Sequence, residues 1–427
     1  MCIIFVVGYT FRYSNVLLEM KNISMGRMRK NLFDAFITDG HWRKTLAAVR
    51  ALGREGLGVA VGESTTLAVS AFSRYCRKRV IYPSALATPD LFVSYVHDFV
   101  FKHAVALLLP MEDETVQCLS RHRDTLSQRT YLPVASPQQL SAARNKAHVI
   151  QLAENLGIPV PRTWILQDLG ELDRIKDALP YPVVVKPRTG AGAVGVLYLK
   201  DKHALLKQYP ALHRLSRLPI IQETIPRKGP GYGVSLLMDE NSRVKAGFVH
   251  KRLREYPVSG GASTLRVSVR NDEIYEMAVS LLKALEWFGV AMVEFKIDPR
   301  DGRPKLMEIN PRFWGSLALA VHAGVNFPHL LYRMALKETF KPVEKYRLNV
   351  KCRWLLPGDL LHFVYNPDRR RLANDFFGFA ADDTHYDILS LKDPVPAVVK
   401  VLTPLTFLFD ADMKMRLKRR KAFSLTQ

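Results

Sequence analysis

The chain is short of cysteine, of acidic residues and of long apolar runs, and each scarcity excludes a class of protein. Cys2, Cys76, Cys118 and Cys352 are its only four cysteines, too scattered for zinc-ligand spacing or for a disulfide framework. Reduced thiols in a cytoplasmic protein are the simplest expectation. No apolar run approaches the roughly 20 residues that span a bilayer. The run Cys2–Val7 is too short for the apolar core of a signal peptide and no basic stretch precedes it. Because residues 1–28 match no targeting pattern, translation from Met25 or Met28 is an alternative expectation. The acid deficit, 62 Lys and Arg against 40 Asp and Glu, gives a formal net charge of +22. Such a charge favours polyanionic partners, whether nucleotides, nucleic acid or an anionic membrane surface, without choosing among them. The 48% hydrophobic and 24% charged residues are those of an ordinary globular protein, and 427 residues allow two or three domains.

Residues 31–130 alternate strand-like and helix-like patterns. Leu32–Thr38, Gly58–Gly62 and Ala104–Leu109 read as strands and Trp42–Glu55 as an amphipathic helix, which predicts an open, mainly parallel α/β sheet. The acidic segment Pro110–Glu114 follows the last strand. Acids there can line a ligand crevice, but a solvated loop is the simpler expectation. Residues 131–340 read as a second unit, α+β in character. A helix over Ser141–Leu156 leads to a small lobe at about 150–225. There Tyr181–Pro187 places Lys186 at the end of an apolar strand, and Gly190, Gly192 and Gly195 follow at once. This G-x-G-x-x-G lacks the helix that a dinucleotide fingerprint requires, because Val196–Leu199 looks like another strand. It reads as a glycine hairpin over nucleotide phosphates, with a plain turn as the alternative.

Ile220–Pro226 reads as a strand whose end offers backbone groups to an adenine edge. A hairpin around Asp239–Ser242 returns to His250-Lys-Arg252, Gly260–Thr264 reads as a mobile loop, and Asp272–Trp287 as a helix. Then come two strands, Gly289–Ile297 and Arg303–Asn310, joined by a Pro/Asp/Gly turn. Centring that turn on Asp301 sets Glu294 opposite Glu308 and Ile297 opposite Lys305. Opposed side chains lie about 5 Å apart, where like charges repel, and Asn310 and Arg312 follow on the face of Glu308. Two acids, an amide and a guanidinium on one surface suit Mg²⁺ and a phosphate; a solvated hairpin is the plainer alternative. Residues 341–427 show no clear period. They hold Asp368-Arg-Arg-Arg371, an apolar stretch over 397–409 broken by Lys400 and Pro404, and a basic tail with Lys414, Arg416, Lys418, Arg419, Arg420 and Lys421. A packed terminus with a solvated tail is the simpler expectation, and contact with an anionic membrane the alternative.

At these residues the chain resembles the ATP-grasp superfamily, in its carbamoyl-phosphate-synthase-like and biotin-carboxylase-like branch of carboxylate–amine ligases. The resemblance covers roughly residues 31–340 and is most specific at Glu294 with Glu308-Ile-Asn-Pro-Arg312. It implies an ATP-grasp fold with a preceding open parallel-sheet domain. It also implies Glu294, Glu308 and Asn310 as ligands of Mg²⁺, or Mn²⁺, bridging ATP phosphates. Lys186 would contact the nucleotide, and Lys146 resembles the family's earlier nucleotide-binding lysine, although Asn145 stands where an aspartate is usual. Glu223 and Ile225 would supply the adenine edge, and Arg312 would steady the acyl-phosphate. His250, Lys251, Arg252 and the 260–264 loop would approach substrate or γ-phosphate.

The implied chemistry is ATP-dependent joining of a carboxylate and an amine through an acyl-phosphate. A biotin-carboxylase-like component is the alternative, with any biotin-carrier or carboxyltransferase segment supplied by a separate chain. A basic nucleic-acid-binding protein is a second alternative. It would leave Glu294 and Glu308 unexplained, and no nucleic-acid module is recognisable.

Overall fold

The computed structural model describes residues 33–190, 195–258, 260–378, 383–409 and 414. Gly192, the segment before residue 33 and most of the basic tail lie outside them. Four parallel strands come first: β1 (Ala35–Ile37), β2 (Val59–Glu63), β3 (Cys76–Ile81) and β4 (Leu107–Leu109), in the order β3-β2-β1-β4. β1, β2 and β4 are buried along their whole length, as a parallel sheet covered by helices requires. The edge strand β3 carries Arg77, Lys78 and Arg79 exposed, charges that discourage pairing with another chain. The strand order reverses between β1 and β4, so their carboxyl ends open the crevice where such sheets bind ligands.

The helix expected over 141–156 is two helices, Pro137–Arg144 and Lys146–Asn155. Asn145 breaks them. Its backbone is extended, and its side chain accepts from the amides of Ala147 and His148 at 3.1 and 3.4 Å. That is an N-cap, which Asn and Asp fill equally well. A second sheet then forms from β5 (Thr163–Trp164), β6 (Val183–Lys186), β7 (Leu197–Leu199) and β8 (Ile220–Glu223), antiparallel in the order β5-β8-β6-β7. Val183, Val185, Leu197, Leu199 and Ile221 pack with Leu205, Tyr209 and Leu212 into a core of this sheet's own.

The third sheet has seven strands: β9 (Gly231–Met238), β10 (Val244–Tyr256), β11 (Ala262–Ser268), β12 (Gly289–Ile297), β13 (Pro304–Asn310), β14 (Lys351–Arg353) and β15 (Thr384–Tyr386). Their order is β13-β12-β9-β10-β11-β14-β15. The expected loop at Gly260–Thr264 is largely strand, since Ala262, Ser263 and Thr264 open β11 and the last two are buried. The hairpin register also differs at one end. Glu294 does oppose Glu308, but Ile297 opposes Pro304, and Lys305 faces Lys296. The register shift beyond Glu294 leaves Met307 as the extra residue of a bulge, so the acids stay opposed although the turn is not centred on Asp301.

One apolar cluster joins Phe36, Phe92 and Leu108 to Val234, Leu282, Trp287 and Val293, so the parallel sheet and the large sheet share core. Residues beyond 340 contribute β14 and β15, and the helix Val395–Phe409 packs Val399 beside Leu46, Val69 and Ile388. No helix among the described residues is long and apolar enough to cross a membrane.

Candidate active site

Strand alternation and register assemble the candidate site on one face of the large sheet. Glu308, Glu294, Gly233 and His250 form a row across β13, β12, β9 and β10. Asn310 and Arg252 stand two residues away on their strands, on the same face. Gly233 is required beneath the histidine, because a Cβ there would come within 2.3 Å of the His250 ring. Lys251 alternates to the opposite face.

The acids are bridged by an amide. Asn310 Nδ2 donates to Glu294 Oε1 at 3.1 Å and to Glu308 Oε1 at 3.4 Å. Each acid also has a cation: Arg252 Nη2 lies 2.5 Å from Glu294 Oε2, and Lys146 Nζ lies 3.4 Å from Glu308 Oε2. Burial raises the pKa of Glu294 against the pull of Arg252, and Glu308 adds to the rise. A carboxyl made costly to ionise in this way is relieved by a divalent cation. Among the described residues no three His, Cys, Asp or Glu side chains gather as a metal site. Two carboxylates and an amide nevertheless suit Mg²⁺, which completes its shell with water and phosphate oxygens.

Beside the acids lies a cluster of lysines. Lys146 Nζ donates to the Gly190 carbonyl at 2.9 Å, and its amide donates to the Arg188 carbonyl at 2.7 Å, fastening residues 188–190 to the helix start. Burial pushes the Lys186 ammonium down to about 8, and Lys146 and Lys296 add to the fall. A group of ammonium charges of this kind suits an anion such as phosphate. Gly195 lies at the other end of the loop, just before β7. The Glu223 amide is already bonded to the Arg162 carbonyl at 2.9 Å, and the Ile225 carbonyl accepts a long bond from Lys296 at 3.4 Å. An adenine edge would therefore use the remaining backbone groups of residues 223–225.

Arg312 is drawn toward the first domain, where its Nε donates to Asp113 Oδ2 at 2.8 Å. Burial opposes its charge, but Asp113 and Glu112 outweigh burial and raise its pKa. Lys44 joins the same junction, 2.8 Å from Glu112 Oε1 and 3.0 Å from the Phe313 carbonyl. The acidic segment after β4 is thus no solvated loop: its acids hold Arg312 and Lys44 where the two sheets meet. Burial and the nearby Arg252 and Arg266 push the His250 pKa well down, which leaves a neutral ring whose Nε2 lies 3.3 Å from Ser316 Oγ.

Sequence reasoning did not single out Arg43, Lys44, Arg266 or Asp387, which reach the site from the first domain, from β11 and from beyond residue 340. The one available signal was Arg266 itself, a charge between the apolar residues Leu265 and Val267 of a strand.

A family model described as ATP-grasp in the biosynthetic pathway with Ter operon matches residues 223–355. A D-aspartate ligase of Enterococcus faecium is 26% identical over 238 residues, covering 52% of this chain and 56% of that protein. The chain thus spans little more than half the length of that curated relative. Among solved structures, the biotin carboxylase–βγ-ATP complex from Campylobacter jejuni aligns with a TM-score of 0.63 at 14% identity, over 76% of this chain and 75% of its own. The biotin carboxylase domain of Hydrogenobacter thermophilus 2-oxoglutarate carboxylase, solved with MgADP and bicarbonate, aligns with a TM-score of 0.61 at 15% identity, over 75% and 73%. The resemblance to the ATP-grasp superfamily therefore holds: this chain carries an ATP-grasp fold preceded by an open parallel-sheet domain.

Proposed function

We propose that this protein is an ATP-dependent, Mg²⁺-requiring ligase that activates a carboxylate as its acyl-phosphate and joins it to an amine. The observation that carries the reading is Glu294 opposed to Glu308 and bridged by Asn310, with Lys146 and Lys186 alongside. Glu294, Glu308 and Asn310 would hold Mg²⁺, or Mn²⁺ in its place. When bound, the metal neutralises phosphate charge and fixes the γ-phosphoryl group for in-line attack.

The residues of the chain divide the remaining work. Lys146, Lys186 and the glycine segment with Gly190, Gly192 and Gly195 seat the phosphates and exclude water. Glu223 and Ile225 present the adenine edge. A substrate carboxylate oxygen attacks the γ-phosphorus, the bond to the ADP oxygen breaks, and Arg312 steadies the acyl-phosphate with its planar fork. The amine nitrogen then forms the C–N bond as the C–O bond to phosphate breaks. One amine proton goes to solvent, and phosphate leaves. No nucleophilic side chain is needed.

Hydroxylamine supplied with ATP, Mg²⁺ and a panel of carboxylic acids traps any acyl-phosphate as a hydroxamate, and ADP formation must accompany it. AMP with pyrophosphate would replace this mechanism with adenylation. A ligase is preferred over a biotin-carboxylase-like component because the sequence relative is a ligase, whereas the carboxylases share only the fold. A cytoplasmic enzyme with a peripheral hold on an anionic membrane is the placement we infer. Val395, Val398, Val401, Leu402 and Leu405 of the last helix are exposed, and a basic run follows them in sequence.

A further inference from the structure

Two arginines that the proposed mechanism does not use lie beyond Arg252, the buried Arg266 and the half-buried Arg43. Arg266 opposes Arg252 directly across β10 and β11, a spacing of about 5 Å between side-chain roots. Arg43, at the start of the first domain's first helix, reaches over to the same place. Its Nε donates to the Gly315 carbonyl at 2.9 Å and its Nη2 to the Ser263 carbonyl at 3.3 Å. A Cβ on Gly315 would come within 2.7 Å of Arg43 Nη2, so the glycine three residues after Arg312 makes the approach possible.

These two guanidinium groups share one carboxylate. Asp387 accepts a hydrogen bond from Arg266 Nη2 through Oδ1, and its Oδ2 lies 3.6 Å from Arg43 Nε. Two positive charges against one negative leave the cluster with a surplus positive charge. Burial, followed by the repulsion of Arg266 and Arg252, pushes Arg43 down to about 10 despite the pull of Asp387. Three donors are left over: Arg266 Nε, Arg266 Nη1 and Arg43 Nη1 are buried with no hydrogen-bond partner among the described residues. The Arg266 side chain is 0% exposed. Unpaired charged donors in such a place are costly, and an anion that accepted from Arg43 Nη1 and from one of the Arg266 donors would relieve part of that cost and the excess charge, although Asp387 Oδ2 is itself left without a hydrogen bond.

We propose that Arg43 and Arg266 form a subsite for a second anionic group on the acid substrate, so that the enzyme selects acids carrying a carboxylate or phosphate in addition to the carboxylate it activates. The proposal rests on the ligase reading for the role of the first carboxylate. Each guanidinium can give either anion a charge-assisted hydrogen bond from a donor the protein leaves over. Arg252 stands between this subsite and Glu294, opposed to Arg266 on one side and ion-paired to Glu294 on the other. Asp387 makes the C-terminal region part of substrate recognition.

Calorimetry on the full chain tests this with MgADP present, which makes the nucleotide reading a separate measurement. Malonate, succinate, glutarate and adipate are titrated against propionate, butyrate, valerate and hexanoate, with 3-phosphonopropionate as the phosphate-type arm. At least one diacid or the phosphono acid should bind about tenfold or more tighter than the monoacid of equal length, the difference expected for a charge-assisted hydrogen-bonded group. In Arg43→Gln that preference should fall to about threefold or less. Equal binding of the two classes, no binding of either, or a preference unchanged in Arg43→Gln each overturns the subsite. The wild-type comparison decides the matter if Arg43→Gln does not fold. Failure of MgADP to bind would overturn the ligase reading by itself and leave the diacid comparison standing as the test of the subsite.

Discussion

Two charge changes at single residues test the site most directly. Glu308→Gln keeps the shape of the side chain and its contact with Asn310 but removes one of the two opposed charges. Mg²⁺-dependent ADP formation should fall by about 100-fold or more while the thermal midpoint stays within a few degrees; wild-type turnover would remove Glu308 from the metal site. Lys186 makes a prediction about pH. Its folded pKa of about 8 lies below the ordinary lysine value, so above that pH the free protein increasingly presents a neutral amine. Phosphates favour the ammonium, so nucleotide binding should take up a proton between about pH 8 and 10, and affinity should fall as pH rises through that window. Titrations in two buffers of different ionisation enthalpy measure the uptake. Lys186→Ala should weaken binding at neutral pH and abolish both effects; an unchanged proton uptake would show that another group titrates. Because the unfolded chain binds the proton more tightly, the same group makes the fold relatively more stable as pH rises across the window.

Elements that share an apolar core are also tied by buried ion pairs. Asp359, from the region after β14, accepts from Arg254 Nη1 at 2.7 Å, Arg353 Nε at 2.6 Å and Thr264 Oγ1 at 2.8 Å. It ties the C-terminal region to β10 and β11. Asp359→Ala would leave two buried guanidinium groups without this partner and should cost about 3–5 kcal/mol, read as a lower denaturant midpoint. A loss below about 1 kcal/mol would mean that the pairs only replace hydration. At the second sheet the tie is a cap. Asn145→Ala should cost about 1 kcal/mol and loosen Lys146 from Glu308 and Gly190. Asn145→Asp should keep the cap while adding a charge, so a loss of nucleotide affinity in Asn145→Ala relative to the wild type reports on capping, and a change in Asn145→Asp reports on charge.

For the whole molecule, the separate core of the second sheet sets it apart from the other two, which share theirs. At the opposite end of the chain, the exposed aliphatic residues of Val395–Phe409 and the basic run after it predict sedimentation with anionic vesicles at low salt. Each base near such a surface contributes about 1 kcal/mol. Ending the chain after Phe409 removes the run and keeps Val399 packed. If full-length and shortened proteins both remain in the supernatant, membrane contact is excluded. Sequence by itself determined the parallel first sheet, the strand that returns after Lys186 and the opposition of Glu294 to Glu308. All of these follow from short-range rules: alternation, turn residues and the period of two. It expected one helix where Asn145 caps a second, and a loop where Ala262–Thr264 is strand, because a cap in the middle of a helical pattern and a strand start after a glycine pair leave no period of their own. Only the tertiary structure decided that Asp113 holds Arg312, that Lys146 reaches Glu308 and Gly190, and that Arg43, Arg266 and Asp387 converge. Contacts between charges separated by tens to hundreds of residues leave no periodic trace, and they exist only once the sheets have been packed against each other.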